Sequence, residues 1–255
     1  MKKIEENKLL INACLLAGEI LMANGSEITR VEDVIMRIGG ATGIENLQVY
    51  ALLNAITVSF PNESLTQMRA IPPRNQNMDM EKIVAVNDLT RQFTAGKISV
   101  RDLHDSLNTI ETTIPTFPVW LQIVASVFIA MSMMITITKT LTPTNLILTG
   151  LSSGLAYTVY LRVRTYFNMR FFGLFLASLT ISLMMLIGTR FLEQPFNPDT
   201  IIIGAVMPLV PGVALTNAVR EIMAGNFISG QGRIVEALLS VISIGLGIAL
   251  LSFFY

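Results

Sequence analysis

Downstream of Pro118 the chain runs through five apolar windows free of Asp, Glu, Lys and Arg: Pro118–Thr138, Thr140–Leu161, Phe171–Thr189, Thr200–Val219 and Ala237–Tyr255. A hydrocarbon layer about 30 Å thick takes roughly 20 mostly apolar helical residues to cross, and each window meets or approaches that length. Five spans are therefore expected, with the two chain ends on opposite sides of a bilayer. Composition agrees. Charged residues make up 14% of the 255 and the mean hydropathy is +0.59, whereas soluble domains carry about a quarter charged residues. The charge is unevenly spread: residues 1–117 hold 11 Lys/Arg and 14 Asp/Glu, residues 118–255 only 7 and 4. The expected fold class is an α+β cytoplasmic N-terminal domain, residues 1–117, followed by an all-α membrane domain of five transmembrane helices, residues 118–255.

Basic residues in short loops set the orientation. Loops on the side of the front domain carry Arg162, Arg164, Arg170, Arg220 and Arg233, against Lys139 and Arg190 on the other side. That bias places the front domain in the cytoplasm of a multi-pass protein of the cell membrane. Glu193 and Asp199, in the short opposite loop after the third span, carry little weight in this rule. No signal peptide is expected at Met1-Lys2-Lys3, because Glu5 and Glu6 follow without a long apolar run. The neutral total and acidic front half argue against nucleic acid as a partner.

The fourth window, TIIIGAVMPLVPGVALTNAV, has Pro208, Pro211 and Gly212 near its middle. Proline removes a backbone donor and clashes with the preceding turn, so a kink or interruption is expected there. Freed carbonyls must be satisfied by protein or by a wet cavity. Two readings stay open, a packing kink and a solute path of the kind transporters build from broken helices. Small residues at four-residue spacing, Gly150 with Gly154 and the Ser243/Gly247 and Gly245/Ala249 pairs, mark helix-packing seams. No ionisable residue lies deep in a window, which argues against a carboxylate relay at the midplane.

In the front half, helical periodicity covers Glu5–Asn24, with an apolar face from Leu9 to Ile20 and a stop at Asn24-Gly25. Ser26 or Thr29 would cap a second helix, and Thr29-x-x-Glu32 fits a capping box. Strands are expected over 47–53, 55–60 and 64–71, ended by Pro72-Pro73. Helices follow over 80–94 and 100–112, divided by Gly96 and with Ser99 as a cap. Glu27, Arg30, Asp33 and Arg37 fall at the spacing of surface ion pairs. His104 reads as an exposed side chain and Cys14 as a small buried apolar group. No nucleotide fingerprint, zinc spacing or Ser/His/Asp set occurs, so no cofactor, metal or catalytic residue is expected.

Three stretches carry a family resemblance: Gly18–Asp33, reading GEILMANGSEITRVED; Val86-Asn87-Asp88-Leu89 with Gly96-Lys97-Ile98-Ser99 and the helix to Ile110; and Pro211–Arg220, reading PGVALTNAVR, continuing through Gly225-Asn226 and Ser229-Gly230 to Glu236-Ala237. In this order they resemble the threonine/serine exporter family. The resemblance implies export of a small polar metabolite by a cytoplasmic domain joined to a membrane domain. With one five-span module the chain resembles the split type associated with succinate export, which works with a separate small membrane subunit; self-association is the other arrangement. Glu221 stands where the family more usually has Asp.

Within this resemblance Arg220 is the first candidate to hold a substrate carboxylate, through paired guanidinium hydrogen bonds; interfacial anchoring is its alternative reading. Asn217, one turn earlier, offers a donor and acceptors. Glu221 and, less directly, Arg30 complete the substrate-binding candidates, while Pro208, Pro211 and Gly212 would shape the path. Expected partners are the small-molecule cargo, amino acid or dicarboxylate, and the lipid bilayer. The competing expectation is a membrane-anchored regulatory or scaffolding protein with a ligand-binding cytoplasmic domain, and a membrane hydrolase is third, lacking a nucleophile and base at a recognisable spacing.

Overall fold

The computed structural model describes residues 2–72, 78–113, 117–139, 141–191, 196–252 and 254. Pro73, Thr140, Glu193 and Tyr255, on which expectations above rested, lie outside these. The chain forms two compact units, Met1–Thr116 with Thr216–Arg233, and Phe117–Leu215 with Ile234–Tyr255. The segment after the fourth apolar window thus packs with the N-terminal residues.

The first unit is built around α1 (Lys2–Ala23). From Leu10 to Met22 almost every side chain of this helix is buried, including Leu15 and Met22 off the expected apolar face. A helix that is apolar on all sides is one surrounded by partners. Here α2 (Ile28–Ala41), the sheet, α3 (Met80–Thr94) and α4 (Val100–Thr113) all pack on it. Cys14 is fully buried there, and burial pushes its thiol up to about 12, so it is an inert packing group.

Between α2 and α3 runs an antiparallel meander of β1 (Gln48–Leu52), β2 (Ala55–Phe60) and β3 (Leu65–Ala70), paired in the order β1-β2-β3 with Val49 opposite Val58 and Val58 opposite Gln67. Ile56, Val58 and Phe60 alternate into the core along β2, the period-2 pattern of a half-buried strand.

Local signals explain the boundaries, with one correction. Gly25 at φ +91° closes α1, with Ser26 N–H donating to Leu21 O and Gly25 N–H to Met22 O; this paired pattern ends a helix where the left-handed residue is glycine. Ser99 and Asp102 form a reciprocal cap on α4: Asp102 N–H donates to Ser99 Oγ (3.2 Å), and the Asp102 carboxylate accepts from Ser99 N–H (3.0 Å), as in a capping box. The corresponding box expected at Thr29 and Glu32 is not formed. Thr29 is the second residue inside α2, and Glu27 occupies the cap position without a side-chain cap bond. Glu32 instead accepts from Ala51 N–H (3.3 Å), tying α2 to β1. A partner distant in sequence outcompetes the local one.

In the second unit, α5 (Val119–Thr138), α6 (Pro143–Phe167) and α7 (Arg170–Phe191) are joined by short links, with Lys139 and Asn168 in the left-handed region at the helix ends. Next come α8 (Pro198–Val206), a 3-10 turn (Met207–Leu209), and α9 (Gly212–Met223), which from Thr216 onward belongs to the first unit. The last helix, α10 (Phe227–Ser252), begins ten residues before its apolar window, so Arg233 and Glu236 lie on the helix and not in a loop. Among the described residues four helices are long and apolar enough to cross a membrane, α5, α6, α7 and α10, or five if Pro198–Leu209 and Gly212–Met223, bent by 61°, form one span.

Close approach in this unit is made through small residues. An added Cβ on Gly204 of α8 would sit 2.6 Å from Met134 Cβ and 3.0 Å from Ala130 O. One on Gly150 would lie 3.1 Å from Met131 Sδ, and one on Gly154 3.1 Å from Val127. One on Gly247 would fall on the Ser178 side chain and the Phe175 carbonyl, whereas Gly245 has no described atom within 4 Å. Serine hydroxyls add inter-helix bonds, Ser153 Oγ to Ser126 O (3.3 Å) and Ser182 Oγ to Ile248 O (3.1 Å).

Two outcomes follow. Gly247→Ala is expected to cost about 1–3 kcal/mol by forcing α10 off α7, and Gly245→Ala to change little, compared by thermal melting of the detergent-purified chain. Separately, burial raises the Glu32 carboxyl, with the Ala51 N–H offsetting part of the shift. An acid whose folded pKa is raised favours the fold when protonated; that stability is full below the unfolded pKa and lost as pH rises through the folded one. Glu32→Gln should therefore melt above the wild type at pH 8 and converge with it below about pH 4.

Candidate functional site

The polar chemistry of the first unit gathers where residues 216–233 meet the turn between α1 and α2. The α1 end is set by Gly25, which leaves the carbonyls of Gly25 and Ser26 directed at this segment. Asn217 Nδ2–H donates to Gly25 O (3.0 Å) and Arg233 Nη2–H to Ser26 O (3.0 Å). Arg233 also donates through Nε to Glu221 Oε1 (3.0 Å), an ion pair whose acid is 1% and base 9% exposed. The Glu221 carboxylate faces the Ile28 N–H in the first turn of α2 as well, where the helix dipole favours negative charge.

The reversal between α9 and α10 brings the two ionic partners together. Gly225, at φ +89°, ends α9 with Asn226 N–H donating to Glu221 O and Gly225 N–H to Ile222 O, the same device as at Gly25. At Gly230 an added Cβ would lie 3.2 Å from Ala218 O and from Ile222 N, so the start of α10 lies directly on α9. Ser26 Oγ, Glu221 Oε2 and Asn226 Nδ2 are buried here with no hydrogen-bond partner among the described residues.

Arg220 points the other way from Glu221 on α9. Its side chain is 65% exposed and forms an ion pair with Glu27. Glu27 and Arg220 lie on the wall of a cavity of about 480 Å³, with Arg30 and Arg37 of α2 and Asn87 and Arg91 of α3 also lining it. Arg37 pairs with Asp33 (2.9 Å) and Arg91 with Asp88 (2.7 Å). Arg30 has no carboxylate partner among the described residues. The expected surface string from Glu27 to Arg37 is thus realised only at Asp33 and Arg37; Glu27 pairs with a residue 193 positions away.

Of the four binding candidates, then, Arg220 and Arg30 lie on one cavity wall, while Asn217 and Glu221 are buried in contacts that fasten α9. Pro208 lies in the 3-10 turn, Pro211 follows the extended Val210 (φ −67°, ψ 130°), and Gly212 opens α9. Sequence reasoning counted Arg233 only as a loop charge. The available signal was an acid and a base flanking the Gly225-Asn226 turn. Among the described residues no group of three His, Cys, Asp or Glu could hold a metal ion. His104, on α4, lies 3.3 Å from the neighbouring Asp105 carboxylate.

Residues of all three sequence stretches singled out above therefore line one cavity: Glu27 and Arg30 of the first, Asn87 of the second and Arg220 of the third. Residues 12–255 match the model of the family described as "Putative threonine/serine exporter" (ThrE), and the chain belongs to that family. Searches of curated proteins and of solved structures return no match.

Removing one member of the buried pair leaves the other charge without compensation. Arg233→Met is expected to cost about 3–5 kcal/mol, and the double variant Glu221→Met/Arg233→Met to recover most of that loss. Thermal denaturation of the four chains in one detergent measures both.

Proposed function

We propose that the chain is a subunit of a secondary transporter that exports small polar carboxylate metabolites, either threonine and serine or dicarboxylates such as succinate, across the cell membrane. The observation that carries this reading is the interruption of an apolar helix at Val210-Pro211, immediately before the segment that bears Asn217, Arg220 and Glu221. Two helix halves that part inside an apolar layer leave carbonyl and N–H groups needing polar company, and a solute passage is one place that supplies it. Membership in the exporter family supports the same direction of transport.

In this reading the N-terminal unit faces the cytoplasm, as the basic loop residues suggest, and cargo enters at Arg220. A guanidinium stays charged at every physiological pH and binds carboxylate in a fork geometry. Arg30 would assist it from α2. Asn217 and Glu221 would hold the helix that presents Arg220, and Pro208, Pro211 and Gly212 would shape the path. Five spans form the membrane domain, which works beside a small membrane subunit or a second copy of the chain. Movement down the cargo gradient or in exchange for protons requires no nucleotide site.

Efflux tests the reading. Inverted vesicles loaded with labelled threonine, serine or succinate are expected to release at least one of them faster when the chain and its membrane partner are present. Arg220→Gln should slow that release about tenfold, the worth of one charge-assisted hydrogen bond, while eluting as a monodisperse species. Unchanged release of all three cargoes overturns the proposal.

A further inference from the structure

The cavity on α2 and α3 has a charge pattern that selects its ligand. Four guanidiniums line it, from Arg30, Arg37, Arg91 and Arg220. Three are matched, Arg37 by Asp33, Arg91 by Asp88 and Arg220 by Glu27. One positive charge, on Arg30, is left over among the described residues. A wall carrying Glu27 and Asp33 repels a dianion, yet one anionic group placed at Arg30 neutralises the remaining charge. The uncharged lining is polar too. Thr90 Oγ1–H donates to Val86 O (2.8 Å) and Asn87 Nδ2–H to Ile83 O (2.6 Å). The Thr90 hydroxyl proton and one Asn87 N–H are spent on their own helix, so the Thr90 hydroxyl oxygen and the Asn87 Oδ1 remain as acceptors, beside the second Asn87 N–H. The cavity therefore suits a small molecule with one carboxylate and one or more hydrogen-bond donors.

The Glu27–Arg220 pair adds a consequence. Arg220 is exposed on the cavity wall, and its partner is a carboxylate on the same wall. Arg30 lines the same cavity as this pair, so a ligand carboxylate held at Arg30 would compete with Glu27 for the second guanidinium. Asn217 and Glu221 hold α9 through separate, buried contacts, so the exposed pair can open without releasing the helix. We propose that this cavity is a binding site for a small monocarboxylate bearing hydrogen-bond donors, held by Arg30, and that Glu27 is an internal competitor which the ligand displaces from Arg220. The proposal deepens the export reading, on which it rests for the choice of probes, by separating a fixed anchor (Asn217, Glu221, Arg233) from an exchangeable one (Glu27, Arg220).

Binding is measured by calorimetric titration of the full chain in detergent, without flux, using L-serine, L-threonine, succinate, acetate and inorganic phosphate. Saturable binding of serine or threonine, stronger than that of phosphate, succinate or acetate, is expected. Arg30→Gln should weaken it about tenfold or more, and Glu27→Gln should tighten it about tenfold, since removing the competitor frees a charge-assisted bond. A structural role for Glu27 predicts the opposite sign for that variant. No saturable binding of serine or threonine to the wild type, a preference for phosphate, succinate or acetate, or unchanged or weaker binding in Glu27→Gln overturns the proposal. Binding without efflux defeats the export reading alone, and efflux without binding defeats this one alone.

Discussion

The buried ion pair of Glu221 and Arg233 is the constraint around which the polar half of this chain is organised. Taking both charges out of water costs several kcal/mol per ion before their attraction is counted. The cost is offset only as far as the remaining hydrogen-bonding capacity is used: Arg233 reaches Ser26 O as well as Glu221, and Glu221 faces the first turn of α2, while Glu221 Oε2 has no hydrogen-bond partner among the described residues. Such a pair contributes little net stability over an apolar substitute but strongly penalises any arrangement that separates its members. It fixes which residues meet, and so it sets the residues 216–233 on the α1–α2 turn in one register. Arg220, one residue from Glu221 on α9, then falls on the cavity wall as a geometric consequence.

This explains why conspicuous residues here divide into two kinds. Asn217 and Glu221 are polar groups in buried surroundings, with partners on the backbone or in the ion pair, and their chemistry is spent on position. Arg220 and Arg30 are exposed to the cavity, where a guanidinium retains free donors. Spacing on one helix does not separate these kinds, because Asn217, Arg220 and Glu221 fall within five consecutive residues of the same helix. Only the direction each side chain takes from α9 does so.

What the sequence made legible follows the range of the interaction behind each signal. The three strands, the helices at 80–94 and 100–113 and the Ser99 cap depend on neighbours within a few residues, and their boundaries read well. The apolar windows at α5 and α7 read well for the same reason: composition alone decides partition into a bilayer. The capping box at Thr29 failed where a distant amide, that of Ala51, took the acid. The helix α1 was expected to show one apolar face from the spacing of Leu9 to Ile20; in fact it is buried nearly all round from Leu10 to Met22, and its Glu19 is paired with Arg69 of β3 (3.0 Å). The pairing of Glu27 with Arg220 spans most of the chain, and no local pattern encodes it. Motif order showed that these stretches belong together without showing that they touch.

The glycines of the membrane unit sharpen the same distinction between pattern and contact. Gly245 and Gly247 stand two residues apart on α10 and so point to different sides of the helix. Only Gly247 lies where a methyl group would collide with α7. In an apolar solvent no hydrophobic gain drives helices together, so close backbone approach and hydroxyl bonds such as Ser182 to Ile248 O supply the adhesion. A seam therefore needs small residues on one face only, and the opposite face is free to meet lipid or another chain. Gly204 extends this logic to the short helix α8: pressed against Met134, Thr149 and Ala130, it seats the first half of the interrupted helix on α5 and α6, where no larger side chain would fit.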